Sequence, residues 1–257
     1  MKLPFSVAVL ITVLMSAGVA AQWGSAKHPN LPRLPDGSVN LKAPAPRQAS
    51  GQIDLSGIWR LRAGFGTLQE DIAGNIEPPM QPWAATLYGE RRASQGLQHP
   101  RVRCLPRGIP NAMLWRPGPF KFIHTPGNTL ILYEEFVTYR QVFTDGRPLP
   151  SDAQPAWWGY SVGRWASDSF VVETSGFKDN GWLDFRGHPA TDAMRVTETF
   201  RRPTLIGLEL EVTFNDPKAY TKPWSVKAAF DLMPDDEFIE HVCENEVTYE
   251  RLSGNSK

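Results

Sequence analysis

A histidine, an aspartate and a glutamate occur close together in the stretch DFRGHPATDAMRVTE, which runs from Asp184 to Glu198. An imidazole titrates near neutral pH, and a neighbouring carboxylate can hold its ring in one orientation. We therefore predict that His188 is a general acid or base and that Asp184 orients it. Glu198 is predicted to be a second acid/base group or an electrostatic partner. The alternative is a surface histidine in a turn that Asp184 caps.

Strand periodicity separates Glu198 from an ordinary surface glutamate. Side chains alternate between the two faces of a strand, and Glu198 shares its face with Met194, Val196 and Phe200. A carboxylate that points into an apolar interior is costly unless it is paired or functional. A buried ion pair with Arg140 is one explanation, and a role in a site is the other.

Further polar and aromatic side chains at predicted strand ends and in loops would complete a pocket. Arg140 and Tyr220 are predicted to stabilise developing negative charge. Stacking against a flat ligand or a sugar is predicted for five aromatic residues: Trp224, Tyr160, Trp158, Trp165 and Trp182. The alternative is that these rings simply form the core.

Other chemistries find less support in the sequence. Residues 159–163 match Gly-x-Ser-x-Gly, but a nucleophile elbow joins a strand to a helix, and here a strand follows. The five histidines show no metal-ligand spacing, and no phosphate-binding loop or dinucleotide fingerprint occurs. We therefore predict neither a metal nor a cofactor. The chain has 27 Lys plus Arg and 27 Asp plus Glu residues, and this balance argues against nucleic acid as a partner. The partner that we predict is a small molecule.

The distribution of β-formers and turn residues predicts an all-β fold with one short helix over 81–94. Ten short runs are predicted as strands: 54–61, 120–125, 129–136, 139–144, 161–166, 169–174, 194–202, 207–214, 224–233 and 238–247. This pattern is typical of an antiparallel barrel or sandwich, and we predict a single antiparallel β-barrel. If the run 194–202 pairs with the next one, Thr199 and Arg201 face Glu209 and Glu211 on the polar side.

The N-terminus has the features of a secretory signal. Lys2 precedes an apolar run, Val7 to Met15, and small residues follow at 19–21. We predict cleavage near Ala21 and a periplasmic or secreted protein without stable membrane insertion. An uncleaved membrane anchor is the alternative. The predicted organisation is a signal peptide over 1–21, a Pro-rich arm over 22–52, a barrel domain over 53–252 and a flexible tail over 253–257.

The chain has two cysteines, Cys104 and Cys243. In an oxidising compartment a pair so far apart in sequence most simply forms one disulfide. A nucleophilic thiol is the alternative, but no recognisable motif supplies a histidine to either cysteine. We therefore predict the disulfide.

Several motifs together resemble a family of exported bacterial proteins from soil and environmental lineages. They are DLSGIW, PWAATLYGERR, RCLPRGIP, SVGRWASDSFVVETSGF, WLDFRGHP, VTETFRRP and DPKAYTKPW. The resemblance implies a compact β-barrel but no particular reaction. Gly57 and Trp59 are also similar to the Gly-x-Trp signature of lipocalins and other calycins. That resemblance implies a basic residue packed on the tryptophan, for which Arg251 is a candidate.

Two functions follow as hypotheses. The first is an exported, cofactor-independent enzyme of lyase or isomerase type, which acts on an aromatic or glycosidic substrate in a barrel pocket. Hydrolysis also needs only an acid/base pair. The alternative is a periplasmic, lipocalin-like protein that binds an apolar or aromatic ligand without turnover. An accessory envelope protein is a third possibility, and the sequence does not determine the oligomeric state.

Overall fold

The computed structural model describes residues 27–28, 30–62, 76–114 and 118–243. The predicted signal peptide and tail lie outside these residues, as do the first five residues of the predicted arm and Arg251. No helix in the described ranges has both the length and the apolar character that a membrane span requires.

Nine strands of the described chain close into one barrel, which confirms the predicted fold class. The strands, in chain order, are β1 (Gly57–Leu61), β2 (Phe120–Thr125), β3 (Asn128–Tyr133), β4 (Thr138–Phe143), β5 (Tyr160–Ala166), β6 (Ser169–Ser175), β7 (Gly181–Trp182), β8 (Pro189–Ala190), β9 (Arg195–Arg201), β10 (Gly207–Asn215) and β11 (Trp224–Leu232). Around the barrel the order is β1-β2-β3-β4-β5-β6-β9-β10-β11, and β11 pairs with β1. The short strands β7 and β8 form a separate two-stranded sheet.

An odd number of strands cannot alternate in direction all the way round a closed ring. One pair must therefore be parallel, and it is β4 with β5, which pair at Val142–Ser161 and Phe143–Val162. A parallel pair needs a crossover connection of a dozen residues or more, and the segment 144–159 supplies it. The other eight pairs are antiparallel, as predicted. In the β9–β10 pair, Arg201 faces Glu209 and Thr199 faces Glu211.

The segment 238–243 forms no strand, contrary to the predicted run 238–247. Within this segment only one isolated bridge occurs, between Glu135 and His241. The physical reason is the closure of the barrel, because β1 and β11 use each other's edges and leave none for a tenth strand. Residues 244–247 lie outside the described residues.

The two ends of the barrel are covered by different parts of the chain. At the "arm end", the arm lies against the turns after β2, β5 and β9; for example, Arg47 Nη2 donates to Asp168 Oδ1 at 2.6 Å. At the "helix end", the chain packs over the β3–β4 turn and the loop between β6 and β9. The covering elements there are α1 (Pro82–Ala93), a 3-10 turn (Pro100–Arg103) and α2 (Asn111–Leu114).

Helix α1 matches the predicted helix closely. Proline occupies its first position, where no intrahelical N–H bond is lost, and Arg91 and Arg92 lie in the last turn, where they complement the helix dipole. Ala84 and Arg91 are buried and Tyr88 is half-buried, so one helical face with 3.6-residue spacing packs on the barrel. The sequence did not predict the 3-10 turn or α2.

A disulfide joins Cys104 to Cys243 at the helix end, as predicted, with the Cα atoms 5.6 Å apart. It links the 3-10 turn to the last described residues. Because 139 residues separate the two cysteines, the entropic model assigns the cross-link roughly 5 kcal/mol of stability.

The interior of the barrel combines aromatic packing with one ion pair. Six fully buried phenylalanines fill much of it: Phe120, Phe122, Phe170, Phe200, Phe214 and Phe230. Among them, Arg140 Nη1 and Nη2 donate to Glu198 Oε1 and Oε2 at 3.1 and 2.6 Å. Arg140 also donates to Ser161 Oγ and Thr174 Oγ1. Burial acts to lower the pKa of Arg140, but the attraction of Glu198 outweighs it and raises that pKa.

We expect Arg140→Met to destabilise the protein by about 3–5 kcal/mol, because it leaves the Glu198 carboxylate buried without a partner. The double variant Arg140→Met, Glu198→Leu is expected to recover most of this loss. Urea unfolding followed by tryptophan fluorescence measures both. A double variant no more stable than Arg140→Met would contradict this account of the pair.

Candidate functional site

His188 and Asp184 are in direct contact in the loop that joins β7 to β8. Asp184 Oδ1 accepts hydrogen bonds from the backbone N–H groups of Gly187 and His188, at 2.8 and 3.1 Å. Its other oxygen, Oδ2, lies 2.6 Å from His188 Nδ1. Gly187 has φ +104°, and an added Cβ would collide with Arg91, so this turn requires glycine. The loop therefore fixes the imidazole through one carboxylate.

The pair is enclosed by aromatic side chains of the helix end. His188 is 2% exposed and Asp184 is 1% exposed. The Tyr88 ring from α1 stacks on the imidazole, with centroids 4.2 Å apart and planes inclined at 22°. The Trp224 ring lies 6.3 Å from the imidazole. A ligand reaches the imidazole only if part of this cover moves.

Tyr220 lies close to the pair, but its hydroxyl is engaged. It donates to Pro189 O at 2.8 Å, which anchors the residue after His188. Burial raises the pKa of Tyr220, and the carboxylates of Asp184 and Asp216 raise it further. Tyr220 is therefore protonated and holds the loop in place.

The predicted catalytic residues fall into two groups. His188, Asp184 and Tyr220 lie together at the helix end. Glu198 and Arg140 pair with each other inside the barrel, where both are buried. The inward orientation of Glu198 is confirmed. Its contacts are those of the buried ion pair with Arg140, one of the two explanations drawn from the sequence. A catalytic role for any of these five residues stays a prediction.

The five predicted aromatic ligand contacts are likewise dispersed. Trp224 lies near His188, and the Trp182 ring stacks under the Arg91 guanidinium, whose Cζ is 4.3 Å from the ring centroid. The other three rings pack elsewhere: Trp158 on Tyr133, Tyr160 on Phe143, and Trp165 on Phe170. Trp165 belongs to the arm end.

Sequence reasoning missed a buried polar cluster at the helix end. His99 is fully buried, and its Nδ1 accepts from Arg101 N at 3.1 Å. Its Nε2 lies 3.1 Å from the Asn111 side-chain amide. The Asn111 atom at this contact is Nδ2, which also donates to Trp182 O at 3.4 Å. Burial, together with the positive charges of Arg107, Arg101 and Arg91, lowers the pKa of His99 to about 3.

Arginines dominate the charge around this cluster. Residues 90–107 contain five arginines and one glutamate, in a chain whose formal net charge is zero. Arg101 and Arg107 both pair with the buried carboxylate of Glu135. Burial, with Arg101 nearby, lowers the pKa of Arg107 to about 9. The density of arginine was visible in the sequence, but its convergence on one end of the barrel was not.

A second candidate site lies at the arm end, where a cavity of about 370 Å³ separates the arm from the barrel. Apolar side chains supply much of its lining: Leu31, Pro32, Pro44, Pro46, Ile58, Leu205, Leu232, Met233 and Phe238. Charged side chains also contribute: Asp54, Lys121, Arg202, Asp235, Asp236 and Glu237. Arg33 pairs with Asp235 and so ties the arm to the segment after β11.

Beside this cavity, the Arg202 side chain links the residues just before β1 to the turn after β9. Its Nη1 donates to the carbonyls of Asp54 and Ser56, and its Nη2 donates to that of Leu205. Its Cζ lies 4.7 Å from the centroid of the Trp59 ring. Burial lowers the pKa of Arg202 to about 10. A basic side chain, that of Arg202, therefore packs on the Trp59 ring. Arg251, the candidate named from the sequence, lies outside the described residues.

In the described part of the chain, no three His, Cys, Asp or Glu residues are grouped so that they could hold a metal ion. No family model, curated protein or solved structure matches the chain. A barrel fold hosts many functions, so function has to be argued from the sites themselves.

Acidification is expected to destabilise the protein through His99. The folded ring stays neutral down to a pKa of about 3, whereas the unfolded chain binds a proton near the ordinary value of 6.5. Stability should therefore fall by about 1.4 kcal/mol per pH unit as the pH drops through this window. Urea unfolding at several pH values should give a shallower pH dependence for His99→Gln than for the wild type or for the exposed control His241→Gln. Equal slopes in all three proteins would refute this role of His99.

Proposed function

We propose that the protein is an exported, lipocalin-like binding protein that holds a small apolar or aromatic ligand in the arm-end cavity. The observation that carries the proposal is the cavity itself. Its volume of about 370 Å³ falls in the range of small-molecule sites, and nine apolar side chains line it together with six charged ones.

The packing of the interior favours a ligand at the mouth of the barrel. Phenylalanine rings and the Arg140–Glu198 pair occupy the middle. The arm covers the mouth, and Ile53 and Leu55 are buried there. A ligand that binds between the arm and the barrel therefore leaves water and gains apolar contacts with both of them.

Export is part of the same proposal. The predicted signal peptide, the disulfide and the resemblance to exported bacterial proteins support a periplasmic or secreted location. The Pro-rich arm suits that role because prolines restrict the unbound chain and reduce the entropy lost when it closes on a ligand.

An apolar fluorescent probe, N-phenyl-1-naphthylamine, is expected to bind with increased emission. Leu31→Asp places a carboxylate in the cavity wall and should weaken binding by about tenfold or more, because burial of the unpaired charge is unfavourable. Leu34→Asp is the matched control, since Leu34 is 44% exposed on the same arm and does not line the cavity. Equal affinities in both variants, or no saturable binding to the wild type, would contradict the proposal.

A second candidate function is cofactor-independent acid/base catalysis of lyase or isomerase type. The specific observation in its favour is the 2.6 Å contact between His188 Nδ1 and Asp184, in which a carboxylate orients an imidazole. Buried titratable groups concentrated at the same end are also typical of active sites. Turnover would require the Tyr88 side chain to move off the imidazole.

If this second function holds, a panel of phenolics and glycosides will yield a product detectable by mass spectrometry. His188→Ala should then lower turnover by about a hundredfold or more, since a positioned acid/base group contributes at least that much. His241→Ala, at an exposed histidine, is the control. Unchanged turnover in a folded His188→Ala variant would exclude His188 from the chemistry.

A further inference from the structure

We propose that a polar cleft at the arm end binds a neutral sugar. The cleft has a volume of about 410 Å³ and lies between the arm turn over 48–52 and the β2–β3 turn over 125–128. Hydroxyl and amide side chains supply six of its lining residues: Gln48, Ser50, Gln52, Thr125, Thr129 and Thr144. It shares no described lining residue with the arm-end cavity, so the inference does not rest on the function proposed above.

The polar cleft carries no formal charge at neutral pH. Within the described residues, no Asp, Glu, Lys or Arg side chain lines it, and its titratable side chain is that of His124. Burial lowers the pKa of His124, and the nearby Asp54 carboxylate offsets this only in part, so the imidazole is neutral at pH 7. Hydroxyl and amide groups both donate and accept hydrogen bonds, as sugar hydroxyls do. Such a lining suits an uncharged ligand that is rich in hydroxyl groups.

One buried donor of the cleft has no acceptor in the described part of the chain. Leu55 N donates to His124 Nε2 at 3.2 Å, so the neutral ring carries its proton on Nδ1. That nitrogen lies 3.0 Å from Thr129 Oγ1 and therefore donates to it. The hydroxyl proton of Thr129 is then left without an acceptor, although Thr129 is only 1% exposed. Because a buried donor without a partner is unfavourable, this hydroxyl favours a ligand oxygen in the cleft.

An aromatic surface forms another wall of the cleft. Trp165 lies near the end of β5, lines the cleft and is half-buried. The Phe170 ring packs on the indole with centroids 4.4 Å apart, and the His124 ring lies 5.3 Å away. These contacts hold the indole in place and leave part of its surface open to the cleft. The C–H groups of a sugar ring pack well on an aromatic surface, because they meet its negative π cloud.

The arm turn is held in one conformation beside this wall. Arg47 and Ile53 form an antiparallel bridge across its ends, and Gln48 N donates to Gln52 O at 2.8 Å. Arg47 Nη2 also donates to Asp168 Oδ1 at 2.6 Å, which ties the turn to the barrel between β5 and β6. Since the turn is already ordered, binding of a ligand loses less conformational entropy.

Hydrogen bonds within the turn determine which of its polar groups remain available to a ligand. Gln48 Nε2 donates to Ile53 O at 3.0 Å, so the amide oxygen of Gln48 remains an acceptor. Ser50 Oγ donates to Gln52 Oε1 at 3.0 Å, so the amide N–H groups of Gln52 remain donors. Together with the Thr129 hydroxyl, the cleft therefore offers both donors and an acceptor to the hydroxyls of one sugar ring.

The test is an NMR titration of the mature protein, isotope-labelled at tryptophan nitrogen, with the methyl glycosides of glucose, galactose and mannose. The Trp165 indole signal is identified by its loss in Trp165→Phe. At least one glycoside is expected to shift this signal with saturation at millimolar concentration. The corresponding uronate, in which a carboxylate replaces the hydroxymethyl group, should bind at least about fivefold more weakly. The reason is that no cation in the described lining offsets burial of its charge.

Two results of this titration would overturn the proposal. One is the absence of saturation with all three glycosides up to about 50 mM. The other is a uronate that binds as tightly as its neutral glycoside, because the cleft would then not select an uncharged ligand.

Thr129→Val removes the buried hydroxyl with little change in shape and should weaken glycoside binding by about fivefold or more. Thr197→Val is the matched control, since Thr197 is a strand threonine on the outer face of β9 and does not line the cleft. Equal losses in both variants, or unchanged affinity in Thr129→Val, would contradict the site.

Gln52→Ala changes the arm and not the barrel core, so it decides the question even if Thr129→Val fails to fold. It should weaken glycoside binding by about threefold or more, whereas Gln141→Ala, at an exposed glutamine outside the cleft, should have no effect. Unchanged affinity in Gln52→Ala would also overturn the proposal. Leu31→Asp should leave glycoside affinity unchanged, and N-phenyl-1-naphthylamine should not compete with the glycoside. Failure of this site and failure of the arm-end cavity are therefore distinguishable.

Discussion

Closure of an odd-numbered ring of strands is the constraint on which the rest of the structure depends. Nine strands that close on themselves must include one parallel pair, and the chain places it between β4 and β5. The same closure pairs β1 with β11, so the segment that follows β11 has no edge to join. That segment instead runs along the outside to the helix end, where Cys243 meets Cys104. Closure thus sends the non-strand parts of the chain to the two ends, where both candidate sites lie.

Packing within that ring explains why the sites lie at the ends and not in the middle. The Arg140 guanidinium and the Glu198 carboxylate satisfy each other, and Ser161 and Thr174 accept further donors. Each fully buried phenylalanine around them contributes roughly 2–3 kcal/mol by leaving water. A ligand in the middle would have to replace this packing. A ligand at an end displaces only water and the ends of loops.

How far the sequence predicts the sites depends on the range of the contacts involved. Asp184 and His188 are four residues apart, so their contact follows from a local turn. The inward direction of Glu198 follows from strand alternation, which is also local. In contrast, the rings that enclose His99, Trp182 and Phe185, come from a segment far along the chain, and no sequence periodicity predicts that contact. Strand limits were predicted to within a few residues, but the tenth strand was not formed because closure is a property of the whole sheet.

Stacking by Tyr88 determines which ligands could reach the buried imidazole of His188. A stacked ring pair is worth about 0.5–1.5 kcal/mol beyond the burial of its area, and the imidazole forfeits this if Tyr88 moves away. An aromatic ligand can restore the lost contact with its own ring, so the exchange costs little. An aliphatic acid has no ring that could stack on the imidazole, so its binding would not recover this stacking energy. We therefore expect any ligand that displaces Tyr88 from the imidazole to be aromatic rather than aliphatic.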